Sequence, residues 1–273
     1  MKIFFFFVIS LLLYGNIHAQ EMIRPKVREI VKPPAQKEKF HLYLLIGQSN
    51  MAGRGIVEPE DTIGNVRILR LNSTGDWEIA KDPVHFDKSA AGVGPGLSFA
   101  REILPNDEDI IIGLIPCAAG GSGIDIWQLD KFWEQTKSYP YNNALLRAKL
   151  AMKDGILKGI LWHQGEADCS PEKTASYSGK LQNLIQTLRM EFQSPYLPFI
   201  AGEMPEFRNT GSSLNTVFHE AKKYIPNYAV VSDSGMTAMP DGVHLDARSA
   251  RELGKRYATK MKILQKNDSY LRK

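Results

Sequence analysis

Apolar residues along this chain fall into short unbroken runs, separated by stretches in which they recur every three or four positions. Residues 40–46 run into Gly47, and 109–115 (DIIIGLI) end at Pro116. Residues 156–162 (ILKGILW), 198–201 and 228–231 (YAVV) repeat the pattern. Such runs predict parallel strands buried on both faces. Between them, Tyr177, Leu181, Leu184, Ile185, Leu188 and Phe192 make one helical stripe. Ser170-Pro171 stands where an N-cap and first-turn proline belong. Ala250, Leu253, Tyr257, Met261 and Leu264 make a second stripe, with Lys and Arg gathered towards its end, as the helix dipole favours. Alternating βα units predict an α/β fold with a parallel sheet and helices on both faces. Ligands then bind in the loops that follow the strands.

The ends of the chain read differently. Lys2, an unbroken apolar run at 3–13 and Ala19 are the parts of a secretory signal peptide. The run is too short to span a bilayer, which takes roughly 20 apolar residues. The expectation is a signal peptide at 1–19, cleavage after Ala19, a secreted or periplasmic protein and no stable membrane insertion afterwards. Residues 20–39, with Pro33-Pro34 in the middle, read as an exposed basic arm. Residues 40–273 are expected to form one domain, a usual length for this architecture. The formal net charge is +4. Lys2 leaves with the signal, and the arm holds six basic residues against three acidic ones, so the body is close to neutral. No basic stripe points to nucleic acid. The two cysteines, Cys117 and Cys169, are too few for a disulfide scaffold or a cysteine zinc site. In an exported chain they are either bonded to each other or remain two buried thiols.

Four loops carry the candidate chemistry. In Gly47-Gln48-Ser49-Asn50-Met51-Ala52-Gly53, a Ser on a tight strand-to-helix turn presents its Oγ outward, or simply caps the helix. A Ser hydroxyl becomes a nucleophile when a base takes its proton and a partner fixes the base's tautomer. Asp241 and His244, three residues apart in Asp241-Gly242-Val243-His244-Leu245-Asp246, can be that base and partner. Asp246 is expected to cap the last helix; a metal held by Asp241, His244 and Asp246 is the weaker alternative, and no metal is expected. Acyl transfer also needs donors aimed at the oxygen that becomes negative. The turn Ala118-Ala119-Gly120-Gly121-Ser122-Gly123 can supply a backbone N–H, and Gln164, in Trp162-His163-Gln164-Gly165-Glu166-Ala167-Asp168, a side-chain amide. A plain turn and a surface residue are the bland readings of these two.

Together, GQSNMAG, GGSGIDIW, WHQGEAD and DGVHLD, in this order, resemble the acetylesterase branch of the SGNH/GDSL hydrolases. That branch includes carbohydrate esterase family 6 and sialate O-acetylesterase-like domains, and the resemblance runs from about Leu42 to Asp246. It implies a three-layer α/β/α sandwich with a mostly five-stranded, flavodoxin-like parallel sheet. It further implies Ser49 as nucleophile, His244 as base and Asp241 as its partner. Ser49 N–H, Gly120 or Gly121 N–H and Gln164 would form the oxyanion hole. The expected activity is removal of acetyl groups from a carbohydrate through an acetyl-enzyme, without cofactor. The rivals are a non-catalytic carbohydrate-binding protein on the same fold and a lipase or thioesterase of the same superfamily. Glu166, Glu203 and His163 stand near the expected site and are assigned no catalytic role, although Glu166 is placed where it could orient Gln164. No particular glycan is assigned, because substrate loops vary while the triad stays.

Overall fold

The computed structural model describes residues 24–25, 27–208 and 212–271. The expected signal peptide at 1–19 lies outside them. No helix among the described residues is long and apolar enough to cross a membrane.

The first apolar run forms β1 (Phe40–Gly47), whose side chains alternate between two cores. Leu42, Leu44 and Ile46 enter one core, and Tyr43 and Leu45 enter the other, all with at most 1% exposure. Each such aliphatic side chain stabilises the fold by about 1.5–3 kcal/mol. At the centre of the sheet, β1 pairs in parallel with β4 (Ile111–Pro116) and β5 (Ile156–His163). Beyond β5 lie β6 (Phe199–Gly202) and β7 (Tyr228–Val231), both parallel. These five strands are the ones the apolar runs predict. Their order, β4-β1-β5-β6-β7, is the flavodoxin-like arrangement.

Two further strands extend the sheet to seven, in the order β3-β2-β4-β1-β5-β6-β7. β2 (Ile68–Leu71) is parallel to β4, and β3 (Trp77–Ile79) is antiparallel to β2. Both are short, and each carries a charge: Arg70 on β2 and Glu78 on β3 pair at 2.5 Å, almost fully buried.

Helices cover both faces. On one face lie α3 (Pro140–Ala151), α4 (Pro171–Glu191) and α5 (Ser212–Ala221). On the other, α2 (Pro95–Ile103) packs against α6 (Ala247–Leu271), beside the single turn α1 (Ser49–Ala52). The result is the three-layer α/β/α sandwich. Ser170 and Pro171 begin α4 as read, and the two helical stripes are its buried face and that of α6.

The arm differs from its expectation. Where it is described, its backbone is docked along β3 rather than free. Ile30 bridges Glu78, Ile79 N–H donates to Glu29 O at 3.0 Å, and Val31 N–H donates to Trp77 O at 2.9 Å. Arg28 reaches Glu78 at 3.1 Å and Pro83 O at 3.0 Å. The physical reason is the edge strand, whose outer N–H and C=O groups need partners. Val27 and Ile30 still show 67% and 61% of their surface, so the arm covers the edge mainly with its backbone, helped by the Arg28 side chain and by Val31 against the core.

Candidate active site

The site forms where β1 and β5 end. The two strands run in register, with Gly47 opposite His163. Gly47 has φ +131°, and a Cβ there would lie 2.1 Å from His163 O, so no other residue fits. Gln48 N–H then donates to His163 O at 2.9 Å, and the chain turns into α1. In consequence Gln48 and Gln164, one residue past the register pair, emerge side by side at the carboxyl edge of the sheet. This is also the point where the strand order reverses, the usual place for a ligand in such sheets.

Ser49 opens α1 and is 7% exposed. Its Oγ lies 3.1 Å from His244 Nε2, and His244 Nδ1 lies 2.6 Å from Asp241 Oδ2. Residues separated by nearly the whole chain therefore form one continuous hydrogen-bonded line. Asp241 Oδ1 also accepts the N–H of Val243 at 2.8 Å and of His244 at 3.0 Å. Burial acts against ionisation of the Asp241 carboxyl, but these N–H groups and the His244 ring outweigh it and bring the carboxyl down to about 2. Asp241 is thus an anion at every working pH, the state needed to hold an imidazole Nδ1–H. Asp246 caps α6, its Oδ1 accepting Ser249 N–H at 2.7 Å.

Ser49 and His244 line an open cavity of about 660 Å³, together with Gln48, Gly120, Gly121 and Glu166. The glycine turn is held from beneath. Asp87 Oδ2 accepts Gly120 N–H at 3.0 Å and pairs with Arg54 at 2.7 Å, and Trp133 Nε1 donates to Gly120 O at 3.0 Å. The N–H of Gly120 is therefore already engaged. Gly121, at φ +80°, has an N–H with no partner among the described residues, as does Ser49.

Gln164 departs from its expected role. It is fully buried, outside the cavity wall, and its amide is saturated. Nε2 meets Asp168 Oδ2 at 2.7 Å, Ser122 O at 3.1 Å and Gln48 Oε1 at 3.1 Å, while Oε1 accepts the Tyr177 hydroxyl at 2.7 Å. Two N–H bonds facing three acceptors leave nothing for a ligand. Of the expected oxyanion set, Gly120 and Gln164 are thus committed elsewhere, and Ser49 and Gly121 stay available. Glu166 does not touch Gln164 either; its Oε1 accepts Asn50 Nδ2 at 2.6 Å. Trp127 is core, and Tyr139 packs edge-on against Phe132 at the surface.

Three contributors have no role in the sequence reading. Asn50, 2% exposed, clasps the loop on both sides of His244: Oδ1 accepts Leu245 N–H at 3.0 Å, and Nδ2 faces Val243 O at 3.5 Å. Asp87 and Arg54 hold the glycine turn. Asn50 stands inside the GQSNMAG motif, where its adjacence to Ser49 is the available signal; Asp87 lies in no motif.

Comparison with known proteins identifies the family and the fold. A family model described as carbohydrate esterase, sialic acid-specific acetylesterase, matches residues 39–263. A probable carbohydrate esterase of Arabidopsis thaliana is 32% identical over 254 residues, covering 85% of this chain and 91% of that protein. The crystal structure of that same Arabidopsis thaliana protein superposes with a TM-score of 0.72 at 30% identity, covering 81% of this chain and 97% of that one. The crystal structure of NanS superposes at 0.67 with 16% identity, over 87% and 100% of the two chains, and shows the shared fold.

Proposed function

This chain belongs to the carbohydrate esterase family of sialic acid-specific acetylesterases, and from that premise we propose that Ser49, His244 and Asp241 are its catalytic triad. The protein is a carboxylic ester hydrolase acting on O-acetyl groups of carbohydrates. One observation carries the assignment of residues: the unbroken line Asp241–His244–Ser49, at 2.6 and 3.1 Å, ends on a hydroxyl inside an open cavity. A cavity of about 660 Å³ is in the range that takes a small-molecule substrate.

The chemistry follows from the roles. Ser49 Oγ attacks the acetyl carbonyl carbon as its proton passes to His244 Nε2, and the carbonyl electron pair moves onto oxygen. Asp241 keeps Nδ1 protonated and stabilises the imidazolium. The N–H groups of Ser49 and Gly121 receive the negative oxygen. His244 returns its proton to the departing sugar oxygen, leaving an acetyl-enzyme. Water, activated by the same imidazole, then releases acetate and restores Ser49.

The test is acetate release from a panel of acetylated glycans, acetylxylan and O-acetyl sialic acid among them, by the wild type and Ser49→Ala. Turnover of at least one glycan, lost in Ser49→Ala, is expected. Equal release by the two proteins would remove Ser49 from the chemistry. The reading extends to export through residues 1–19. N-terminal sequencing of the mature protein from the medium or periplasm is expected to begin at Gln20.

A further inference from the structure

We propose that the side-chain amide of Gln48, not that of Gln164, is the third oxyanion donor, and that Gln164 and Asp168 set it in place. The inference rests on the esterase reading above and adds a catalytic residue to it.

The orientation of Gln164 is forced. Its Nε2 faces a carboxylate oxygen of Asp168 at 2.7 Å and the carbonyl of Ser122 at 3.1 Å, both of which only accept. Turning the amide over would set oxygen against oxygen at both contacts. The Tyr177 hydroxyl, 2.7 Å from Oε1, fits the same orientation. The third neighbour of Nε2, at 3.1 Å, is the Gln48 side chain, which must therefore present its oxygen. Gly165 N–H approaches the same Oε1 from the other side, at 3.5 Å.

With Oε1 fixed towards Gln164, the amide nitrogen of Gln48 is left as the free end. It makes no hydrogen bond among the described residues. Gln48 is 4% exposed and lines the cavity that holds Ser49 and His244. The amide nitrogen is not one of the sealed polar atoms; with no protein partner, it is open to the cavity and free to donate to a group bound there. That group, in this cavity, is the oxygen that turns negative when Ser49 attacks. The relay Asp168–Gln164–Gln48 holds the donor still beforehand, so little reorganisation is needed when charge develops. The register explains why two glutamines do this work. Residues 48 and 164 follow the pair Gly47 and His163, so their side chains meet by construction.

The test uses 4-nitrophenyl acetate, which has no sugar to bind. Gln48→Glu keeps an oxygen for Gln164 and removes the N–H; Gln48→Met keeps the volume and removes both. Each is expected to lower kcat by about a hundredfold with little change in KM. Inhibition by a trifluoromethyl ketone, which forms a tetrahedral oxyanion on Ser49, is expected to weaken in parallel. Gln164→Ala is expected to lose less, and Gln48→Met/Gln164→Ala no more than Gln48→Met alone, because Gln164 acts only through Gln48. Thermal melting identifies any variant that is merely unfolded. A folded Gln48→Glu or Gln48→Met with kcat within about threefold of wild type would overturn the proposal. So would a Gln164→Ala loss larger than either. Failure of the esterase reading is separate: it would show as wild-type turnover that survives Ser49→Ala.

Discussion

In the proposed triad, removing the Ser49 hydroxyl takes away the atom that His244 and Asp241 serve, so the three side chains are expected to fail together. Ser49→Ala and His244→Ala are each expected to lower kcat on a small acetate ester by several orders of magnitude, and the double variant by little more. Additive losses, measured as kcat for the four proteins, would separate His244 from Ser49. Asp241 makes a different prediction. Its folded value of about 2 lies below the roughly 3.9 of an unfolded chain. Its ionised form therefore stabilises the fold fully above about pH 4, and that contribution disappears as pH falls through about 2. Across the working range Asp241 never titrates. Profiles of kcat/KM between about pH 4 and 9 are expected to contain no limb that Asp241→Asn removes, although Asp241→Asn lowers the rate throughout by a thousandfold or more. At this scale the sequence is legible where chemistry dictates spacing. An Asp-x-x-His turn and a Ser beyond a strand point to residues that the fold does bring together. The engagement of the Gln164 amide is not legible, for a physical reason. A linear sequence places two amides at neighbouring strand ends, but not the carboxylate of Asp168 that saturates one and leaves the other free.

The elements explain why Ser49, His244 and Asp241 stay aligned. His244 sits in a loop, and loops hold a side chain only as well as their anchors do. Asn50 ties that loop to α1 through Leu245 N–H and Val243 O, and Glu166 after β5 holds Asn50 in turn. Asn50→Ala leaves the buried Leu245 N–H without an acceptor, a loss of about 1–3 kcal/mol. Urea denaturation is expected to show that loss, and kcat to fall by more than the minor change in KM. Unchanged stability and rate would mean the loop is held elsewhere. Legibility follows burial here as well. The five parallel strands around β1 are uninterrupted by a paired buried charge and read as apolar runs. β2 and β3 do not, because Arg70 and Glu78 break their short apolar pattern. Their charges are tolerated only because the two strands pair and bring Arg70 onto Glu78.

Across the whole molecule, the sheet order sets both ends of the account. The reversal at β1 brings Ser49, Gln48 and Gln164 together, and the antiparallel edge at β3 captures the basic arm. That docking was not legible in the arm's composition, since what recruits it is the unpaired edge of a strand elsewhere. Cys117 and Cys169 form no disulfide, one lying past β4 and the other beyond the loop after β5, where Cys169 Sγ–H donates to Gly165 O at 3.2 Å. Burial pushes the Cys117 thiol up to about 11, so it is poorly reactive near neutral pH. Denatured, unreduced protein is expected to give two titratable thiols per chain, and none would mean that the pair is bonded.

The most direct test of Ser49 as nucleophile is to trap the covalent intermediate. Wild-type protein mixed with excess 4-nitrophenyl acetate and quenched in acid within the first turnovers is examined by intact mass and peptide mapping. The expected result is one added acetyl group per chain, carried by the peptide containing Ser49 and missing from Ser49→Ala. Full turnover by Ser49→Ala, or an acetyl group reproducibly located on another residue, would contradict it.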